Sequence, residues 1–405
     1  MLLTHPLVDR AALAERLVPL HQSRKYNLYL AATGAGSGLQ TLLWSVPGAS
    51  AFLAGASFPY DARVTERFTG RAMKNAVSEL TAIRLAVASF FVSQETCLRA
   101  DGEAAMPIGL GLTAAVQTSR ERRGKDHVHL AIRTTGGVYL VHAEMEKGRL
   151  SRVEQGEVCD LLSLNMLFSV LGVDQLPIPS GLGVQSAELR ETEQGLVVAP
   201  RLIAPPEAPT GVGEGLLVDE EGVVATVCEQ PKILFPGSFR PFHYGHDAIA
   251  MRVQELTGIP VTLEISRDNA DKPTVSVQEV LDRTVQFRGR WPIVVTRGVP
   301  RLLDKARVFP GSGFVIGGDT AERILDPRFY GDIPNGVEGA LAEFRALGTK
   351  FYVVPRSNGG EEQWSFGRIP AGLADLFISV PGRWDISSSK LRASVPDPRP
   401  PFPRS

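Results

Sequence analysis

The sequence predicts an α/β protein in two domains, and three observations carry that expectation. Strand-length apolar runs alternate with helix-length amphipathic patterns, first over residues 1–172 and again over residues 231–395, as in sheets covered by helices. Between them, residues 173–230 are dense in proline and glycine (Pro177, Pro179, Pro200, Pro205, Pro206, Pro209, Gly211, Gly213, Gly215), which reads as a linker. The length, 405 residues, is that of two or three ordinary domains rather than one.

Composition narrows the function classes. Hydrophobic content of 43%, charged content of 21% and a formal charge of -1 describe an ordinary globular chain, and the missing basic excess argues against nucleic acid as a partner. No segment approaches the ~20 apolar residues of a membrane span, and Met1 to Asp9 lacks a basic start followed by an apolar run, so neither membrane anchor nor signal is expected. Cys97, Cys159 and Cys228 are far apart and form no C-x-x-C pair, which predicts a reduced, cytoplasmic protein with no disulfide framework.

The first domain opens with an amphipathic helix over Ala11 to Leu20 and a strand over Tyr26 to Ala32. Thr33-Gly-Ala-Gly-Ser-Gly38 then leads into a helix over Leu39 to Trp44, but the run is neither a P-loop nor a full G-x-G-x-x-G, and it reads as a glycine turn. Two strands joined by a Gly-Gly turn follow over 124–134 and 136–142, and a helix from Glu154 to Val170 closes the domain. His127, His129 and His142 are placed to converge on one sheet face. With no carboxylate or cysteine at metal spacing they read as surface-facing strand histidines, and no metal site is expected. The basic cluster Arg120 to Lys125 reads as a solvated loop.

Thr33-Gly34, Ser45-Val-Pro-Gly-Ala-Ser50, Tyr60 and Ala76-Val-Ser-Glu79, taken in order and spacing, resemble the C-terminal domain family of the competence-damage protein CinA over residues 22–172. Active members of that family are amidohydrolases that convert nicotinamide mononucleotide to nicotinic acid mononucleotide. Where the family reads Glu-Ser-Cys-Thr-Gly-Gly, this chain has Leu30-Ala-Ala-Thr-Gly-Ala35, so the expected serine nucleophile is Ala31. The family's Tyr-Ser-Asn-x-x-Lys becomes Tyr60-Asp-Ala-Arg-Val-Thr65, which removes the activating lysine, and Thr-Gly-Ile-Ala-Gly-Pro survives only as Leu112-Thr-Ala-Ala-Val116. Nucleophile and activator are needed together, so this domain is expected to be non-catalytic and kept for binding, assembly or stability. Ser37 offers a substitute hydroxyl, but a serine in a glycine turn reads first as a turn or cap residue. The resemblance also implies a homo-oligomer formed through this domain.

Within the linker, Gly215 to Asp219 and Val223 to Val227 read as a hairpin about Glu220-Glu-Gly222. From Lys232 onward, strands over Ile233 to Phe235, Val261 to Ile265, Ile293 to Thr296, Phe314 to Ile316 and Lys350 to Val354 alternate with helices over Asp247 to Thr257, Val277 to Phe287 and Val337 to Leu347. That predicts a Rossmann-like parallel sheet, whose ligands sit beyond the carboxyl ends of the strands. His243, Asp319 and Arg356 lie just past such ends. Residues 396–405 are proline-rich and read as a disordered tail.

Gly237-Ser-Phe-Arg-Pro-Phe-His-Tyr-Gly-His246 resembles the Gly-Ser-Phe-x-Pro-x-His-x-Gly-His signature of the nucleotidylyltransferase superfamily, and Ile386-Ser-Ser-Ser-Lys-Leu-Arg392 resembles its second signature, Ile-Ser-Ser-Thr-x-Ile-Arg. Arg240, Ser389 and Leu391 depart from the usual residues. The resemblance implies adenylyl transfer: a phosphate oxygen of an acceptor attacks the α-phosphorus of ATP, and pyrophosphate leaves in line with Mg²⁺ on the triphosphate. Positioning and charge stabilisation are then the protein's task. His243, His246 and Arg392 are implied as catalytic donors. Gly237, Ser238, Phe239, Gly245, Gly318, Asp319, Ser387, Ser388 and Ser389 are implied to hold the nucleotide.

Other readings stand beside these. A His-x-x-His pair can ligate zinc, although no third ligand is spaced nearby, and histidines can simply cap a helix. Gly317-Gly318-Asp319 also reads as a plain turn. Glu264 to Pro273 resembles the acceptor loop of pyridine-mononucleotide adenylyltransferases, and Trp291 and Trp364 are candidates to stack on a nicotinate ring, though tryptophans more often sit half-buried in a core. Nicotinamide or nicotinic acid mononucleotide is therefore the expected acceptor. A different phosphorylated acceptor, a cytidylyl donor, or a non-catalytic nucleotide-binding scaffold remain the alternatives.

Overall fold

A computed structural model describes residues 6–70, 72–97, 104–120, 122–135, 137–185, 189–191, 214–218, 230–268, 275, 277–287, 289–355, 357–358, 361–362, 369 and 372–382. These described residues divide into two units, one within Met1–Glu193 and one within Gln194–Leu391, each an α/β assembly.

In the first unit, Asp9 accepts from the Ala11 N–H (2.9 Å) and so starts helix α1, Arg10–Ser23. Strand β1 (Tyr26–Thr33), α2 (Ser37–Trp44), β2 (Leu53–Ser57), α3 (Ala62–Thr69) and α4 (Glu79–Glu95) follow. Then come β3 (Met106–Ala115), β4 (Asp126–Arg133), β5 (Val138–Met145) and α5 (Arg152–Val170), which opens on a Ser151/Glu154 capping box. Two short strands, β6 (Val184–Gln185) and β7 (Arg190–Glu191), both pair with β5. The sheet runs β2-β1-β3-β4-β5-β6, parallel about β1 and antiparallel beyond β3.

Strand alternation gives this sheet two distinct faces. Leu28, Leu30 and Ala32, with Ile108, Leu110, Leu112, Val128, Leu130 and Ile132, enter a core that includes Leu13, Leu17, Leu39, Leu43, Leu161 and Leu164 from α1, α2 and α5. The other face takes α4. Helix and sheet approach there so closely that a Cβ on Gly109 would lie 2.0 Å from the Ala86 carbonyl oxygen, and one on Gly111 2.2 Å from that of Ala82.

The first unit also extends past residue 172 into what reads from sequence as linker. Leu176 is buried, and Asn165 bonds both its N–H (2.7 Å) and its carbonyl (2.9 Å). Local proline and glycine density could not reveal pairing with a strand so far upstream.

The second unit contains β8 (Glu214–Val218), β9 (Ile233–Pro236), α6 (Tyr244–Thr257), β10 (Val261–Ser266), α7 (Val277–Thr284) and β11 (Ile293–Arg297). It continues through α8 (Leu302–Val308), β12 (Gly313–Gly317), α9 (Gly318–Ile324), α10 (Gly336–Ala346) and β13 (Lys350–Val354). A small ladder, β14 (Ser357–Asn358) with β15 (Glu361–Glu362), precedes β16 (Phe377–Ser379). The sheet order is β16-β13-β12-β9-β10-β11-β8, parallel except for β8. Of the hairpin expected over 215–219 and 223–227, the first arm is present as Glu214–Val218 and adds to the second sheet against β11, while 223–227 lies outside the described residues.

Counting only the parallel strands, the order is 3-2-1-4-5-6, the doubly wound arrangement whose direction reverses between β9 and β12. Leu234, Phe314, Phe344, Phe351 and Val353 form much of its core, at 0–1% exposure. Burying each such side chain contributes about 1.5–3 kcal/mol. Among the described residues no helix is long and apolar enough to cross a membrane.

Candidate functional site

The reversal point fixes where a ligand crevice can open in the second unit. Strands β9 and β12 pair only at Ile233–Gly313 and Leu234–Phe314. Beyond their carboxyl ends lie two of the stretches singled out from sequence: Gly237–His246 after β9, and Gly318–Asp319 after β12. Gly318 and Asp319 are the first residues of α9 rather than a plain turn; Gly318 is buried and Asp319 exposed.

The Gly237–His246 loop is held from several sides. The Gly237 N–H donates to the Glu264 carbonyl (3.0 Å), and a Cβ on Gly237 would come within 2.6 Å of the Phe239 ring. Phe239 has a positive φ of 42° and is 1% exposed, its ring meeting Phe235, Phe242, His246 and Phe287 edge-on. It supports the loop from beneath, so a ligand contact from this residue would come from its backbone. Gln286 accepts from the Phe242 N–H (2.8 Å) and donates to the Phe239 carbonyl (3.1 Å), while Arg283 donates to the Ser238 carbonyl (3.2 Å). Arg240, the departure from the usual signature, pairs with Glu279 at 3.1 Å, and Arg283 reaches the same carboxylate at 2.5 Å.

The two histidines cap helix α6 reciprocally. The His246 N–H points at His243 Nδ1 (3.4 Å) and the His243 N–H at His246 Nδ1 (3.3 Å), with the rings stacked 3.7 Å apart. Because both Nδ1 atoms accept, each neutral ring carries its proton on Nε2. Capping and function are therefore not rivals here: the cap uses one nitrogen of each ring and makes the other a donor. The helix starts three residues earlier than its apolar pattern predicts, with His243 as its cap, one of the readings the sequence leaves open. Gly245, in the first turn, is buried.

Just behind the cap, Asp247 receives a bidentate pair from Arg290 (2.9 and 2.6 Å) and the Trp291 indole N–H (2.8 Å). Trp291 is 1% exposed. It anchors α6 and is not placed to stack on an acceptor, in line with the core role that the sequence favours for its tryptophans. Glu264, expected beside an acceptor loop, is buried in β10 and pairs with Lys305 (2.7 Å) and the Thr296 hydroxyl. Ser387, Ser388, Ser389, Arg392, Arg356, Trp364 and residues 269–274 lie outside the described residues.

Ala31 shares a face of β1 with Tyr29, whose ring stacks on Phe68 of α3, and it registers with Ser57 and Gly111. Thr65, at the lysine position, is buried and donates to the Pro59 carbonyl (2.6 Å). Ser37 instead lines a cavity of about 560 Å³ together with Ala32, on the opposite face from Ala31. Ser37 therefore does not stand in for a hydroxyl at the Ala31 position. At the head of α2, Asp160 accepts from the Leu39 N–H (3.0 Å), and a Cβ on Gly38 would lie 2.2 Å from that carboxylate. The protein's own anion occupies this helix terminus, which fits the plain glycine-turn reading.

Cys97 and Cys159 are buried free thiols, both pushed up by desolvation and so poor nucleophiles. His127, His129 and His142 do converge on one sheet face, although among the described residues no three His, Cys, Asp or Glu groups are posed around a common metal position.

No family model matches the chain, and no curated protein matches it. Solved structures do. The chain is similar to the competence/damage inducible protein CihA from Agrobacterium tumefaciens, at 21% identity over 40% of this chain and 95% of that one, with a TM-score of 0.34. It is also similar to a competence-damaged protein (CinA) superfamily protein from Escherichia coli, at 16% identity over 38% and 90% with a TM-score of 0.30, and to one from Enterobacter cloacae, at 16% over 40% and 92% with a TM-score of 0.33.

Proposed function

We propose that the second unit is a nucleotidylyltransferase that moves an adenylyl group from Mg²⁺-ATP to a phosphorylated acceptor and releases pyrophosphate. The observation that carries this reading is the convergence, at the reversal point of a doubly wound sheet, of the Gly237–His246 loop with two imidazoles whose Nε2 atoms are donors. An acceptor phosphate oxygen attacks the α-phosphorus, the bond from that phosphorus to the bridging oxygen breaks, and the pair leaves with pyrophosphate. His243 and His246 donate to triphosphate oxygens as charge builds there, and Gly237 lets the chain approach them. By resemblance, Ser387 to Ser389 and Arg392 complete the clamp, and Gly318 and Asp319 border the nucleotide.

Nicotinamide or nicotinic acid mononucleotide is the acceptor we favour. The buried Trp291 weakens this choice in one respect, since it removes a candidate stacking ring, and so keeps another phosphorylated acceptor as the second reading. The first unit is read as a non-catalytic CinA-like domain that self-associates, for which exposed Trp44, Phe58, Tyr60 and Val153 (61%, 42%, 71% and 70%) supply apolar surface. Light scattering of the full chain tests that: a strictly monomeric chain would remove it.

The test of the activity is pyrophosphate release from ATP and Mg²⁺ with each mononucleotide, then with other phosphorylated acceptors and with CTP. Turnover with one acceptor and its loss on chelation of Mg²⁺ are expected. Absence of turnover with all of them, while ATP still raises the melting temperature, would leave only a nucleotide-binding scaffold.

A further inference from the structure

Three of the chain's seven histidines meet on one patch of the first sheet. His127 and His129 lie two residues apart on β4, so both project from the same face. The antiparallel register sets His142 of β5 directly opposite His129, and Glu144 directly opposite His127. The ring centres are 4.4 Å (His129 to His142), 5.3 Å (His127 to His129) and 5.9 Å (His127 to His142) apart. All three residues are half-buried, so water and ions reach them. None belongs to the proposed transferase site.

We propose that His127, His129 and His142 form a three-histidine site for a zinc-class divalent ion, with the fourth position open to water. Three imidazoles bound at about 2.0–2.1 Å around one tetrahedral ion hold their ring centres roughly 5 Å apart. The observed separations bracket that value without any movement of the strands. What the arrangement lacks is aim: His129 and His142 lie stacked at 18° instead of turning a nitrogen each toward a common point. The terminal torsion of histidine is broad and soft, so the rings can turn while the backbone stays fixed. An all-imidazole set selects zinc, copper or nickel over magnesium or calcium, which prefer oxygen. Glu144, held by Lys125 at 2.6 Å, is the nearby carboxylate suited to orient a ligand imidazole or the bound water.

The same sheet row explains why this site is separate from the lost amidohydrolase chemistry. Thr33, Thr113, His129 and His142 follow one another across β1, β3, β4 and β5. The histidines therefore share a face with Ala31 but lie two to three strand spacings away, roughly 10–14 Å.

Titrating the full chain with Zn²⁺, and with Co²⁺ as a spectroscopic stand-in, tests the site. We expect one equivalent that gives the visible bands of four-coordinate Co²⁺. Outer carboxylates typically contribute about 10–100-fold in affinity. Glu144→Gln should fall in that range, and His129→Ala and His142→Ala should each lose more. Metal-free circular dichroism checks that the variants fold, and His142→Gln serves if an alanine variant does not. Because His243 and His246 could also take a metal, His246→Ala is titrated alongside and should keep the bands. Absence of saturable binding, binding unchanged in the His129→Ala/His142→Ala double variant, or bands lost only in His246→Ala would each overturn the proposal.

Discussion

The two glycine turns of this chain, Gly34 to Gly38 and Gly237 to Gly245, have the same plan of strand, glycine loop and helix, yet they end in opposite electrostatics. At the first, a buried carboxylate from Asp160 fills the positive end of α2. At the second, two imidazoles cap α6 through Nδ1, which leaves Nε2 as the donor of each neutral ring, after the strand at the sheet's reversal point. A helix terminus is thus an anion site only when the protein has not already supplied the anion. The glycines look alike in sequence; the capping group decides between them.

The largest effect should come from the anchor under the second turn. Asp247→Ala leaves the Arg290 guanidinium buried without its carboxylate, and breaking such a pair costs about 3–5 kcal/mol. Denaturant melts of the variant should show that loss, together with collapse of any turnover, since α6 carries both histidines. A loss below about 1 kcal/mol, the scale of an exposed pair, would mean that the anchor is not holding the cap.

His246→Ala probes the turn itself. Removal of one transition-state donor typically costs about 10²–10³ in rate, and kcat for pyrophosphate release should fall by that factor while the fold persists. Because the same ring caps His243, a cap loss of about 1 kcal/mol accompanies it. A rate change under tenfold would remove His246 from the chemistry and leave it as a cap alone. That would make the two turns electrostatic variants of a structural device.

The comparison can be sharpened from the other side with Asp160→Ala. The Leu39 N–H then loses its acceptor, which costs about 1–3 kcal/mol for a buried donor. If an absent anion is what makes a site, inorganic phosphate should raise the melting temperature of this variant more than that of the parent chain. An equal response in both would show that the first turn cannot hold an anion even when vacated.

Much of this architecture was legible along the chain, and what was not depended on distant partners. Strands β9 to β13 follow from local apolar runs, and the Gly237–His246 and Gly317–Asp319 loops follow from where those runs stop, whereas the three-residue edge strand β16 is too short to announce itself. Strand β8 is visible as an apolar run, but its partner β11 lies some way downstream and nothing local marks that antiparallel pairing. Asp160 reaches Leu39 across 121 residues, so the difference between the two glycine turns could not be read from either. The sequence leaves Trp291 between a core ring and a ligand-stacking one, the core being favoured; its place beside Asp247 and Arg290 decides the matter, and their pairing is not announced in the sequence.

The smallest expected effect concerns Arg240, the one cation that departs from the usual signature at the second turn. Its side chain is 67% exposed and its charge is shared with Glu279, which also bonds Arg283. The Arg283 hydrogen bond, with the nearby charges of Arg283 and Arg240, holds the Glu279 carboxyl below its usual range. A carboxylate with a lowered folded pKa stabilises the protein above its unfolded pKa, and that contribution is lost as pH falls through the folded value. Glu279→Gln should therefore be less stable than the parent at neutral pH, with the gap closing under acid conditions below the ordinary carboxylate range. Arg240→Ala, which leaves Arg283 in place, should cost under about 1 kcal/mol and follow the same pH trend more weakly. If instead it raised the KM for ATP several-fold without moving the melting temperature, Arg240 would act on the triphosphate rather than on Glu279, and the second turn would carry a cation in addition to its imidazole donors.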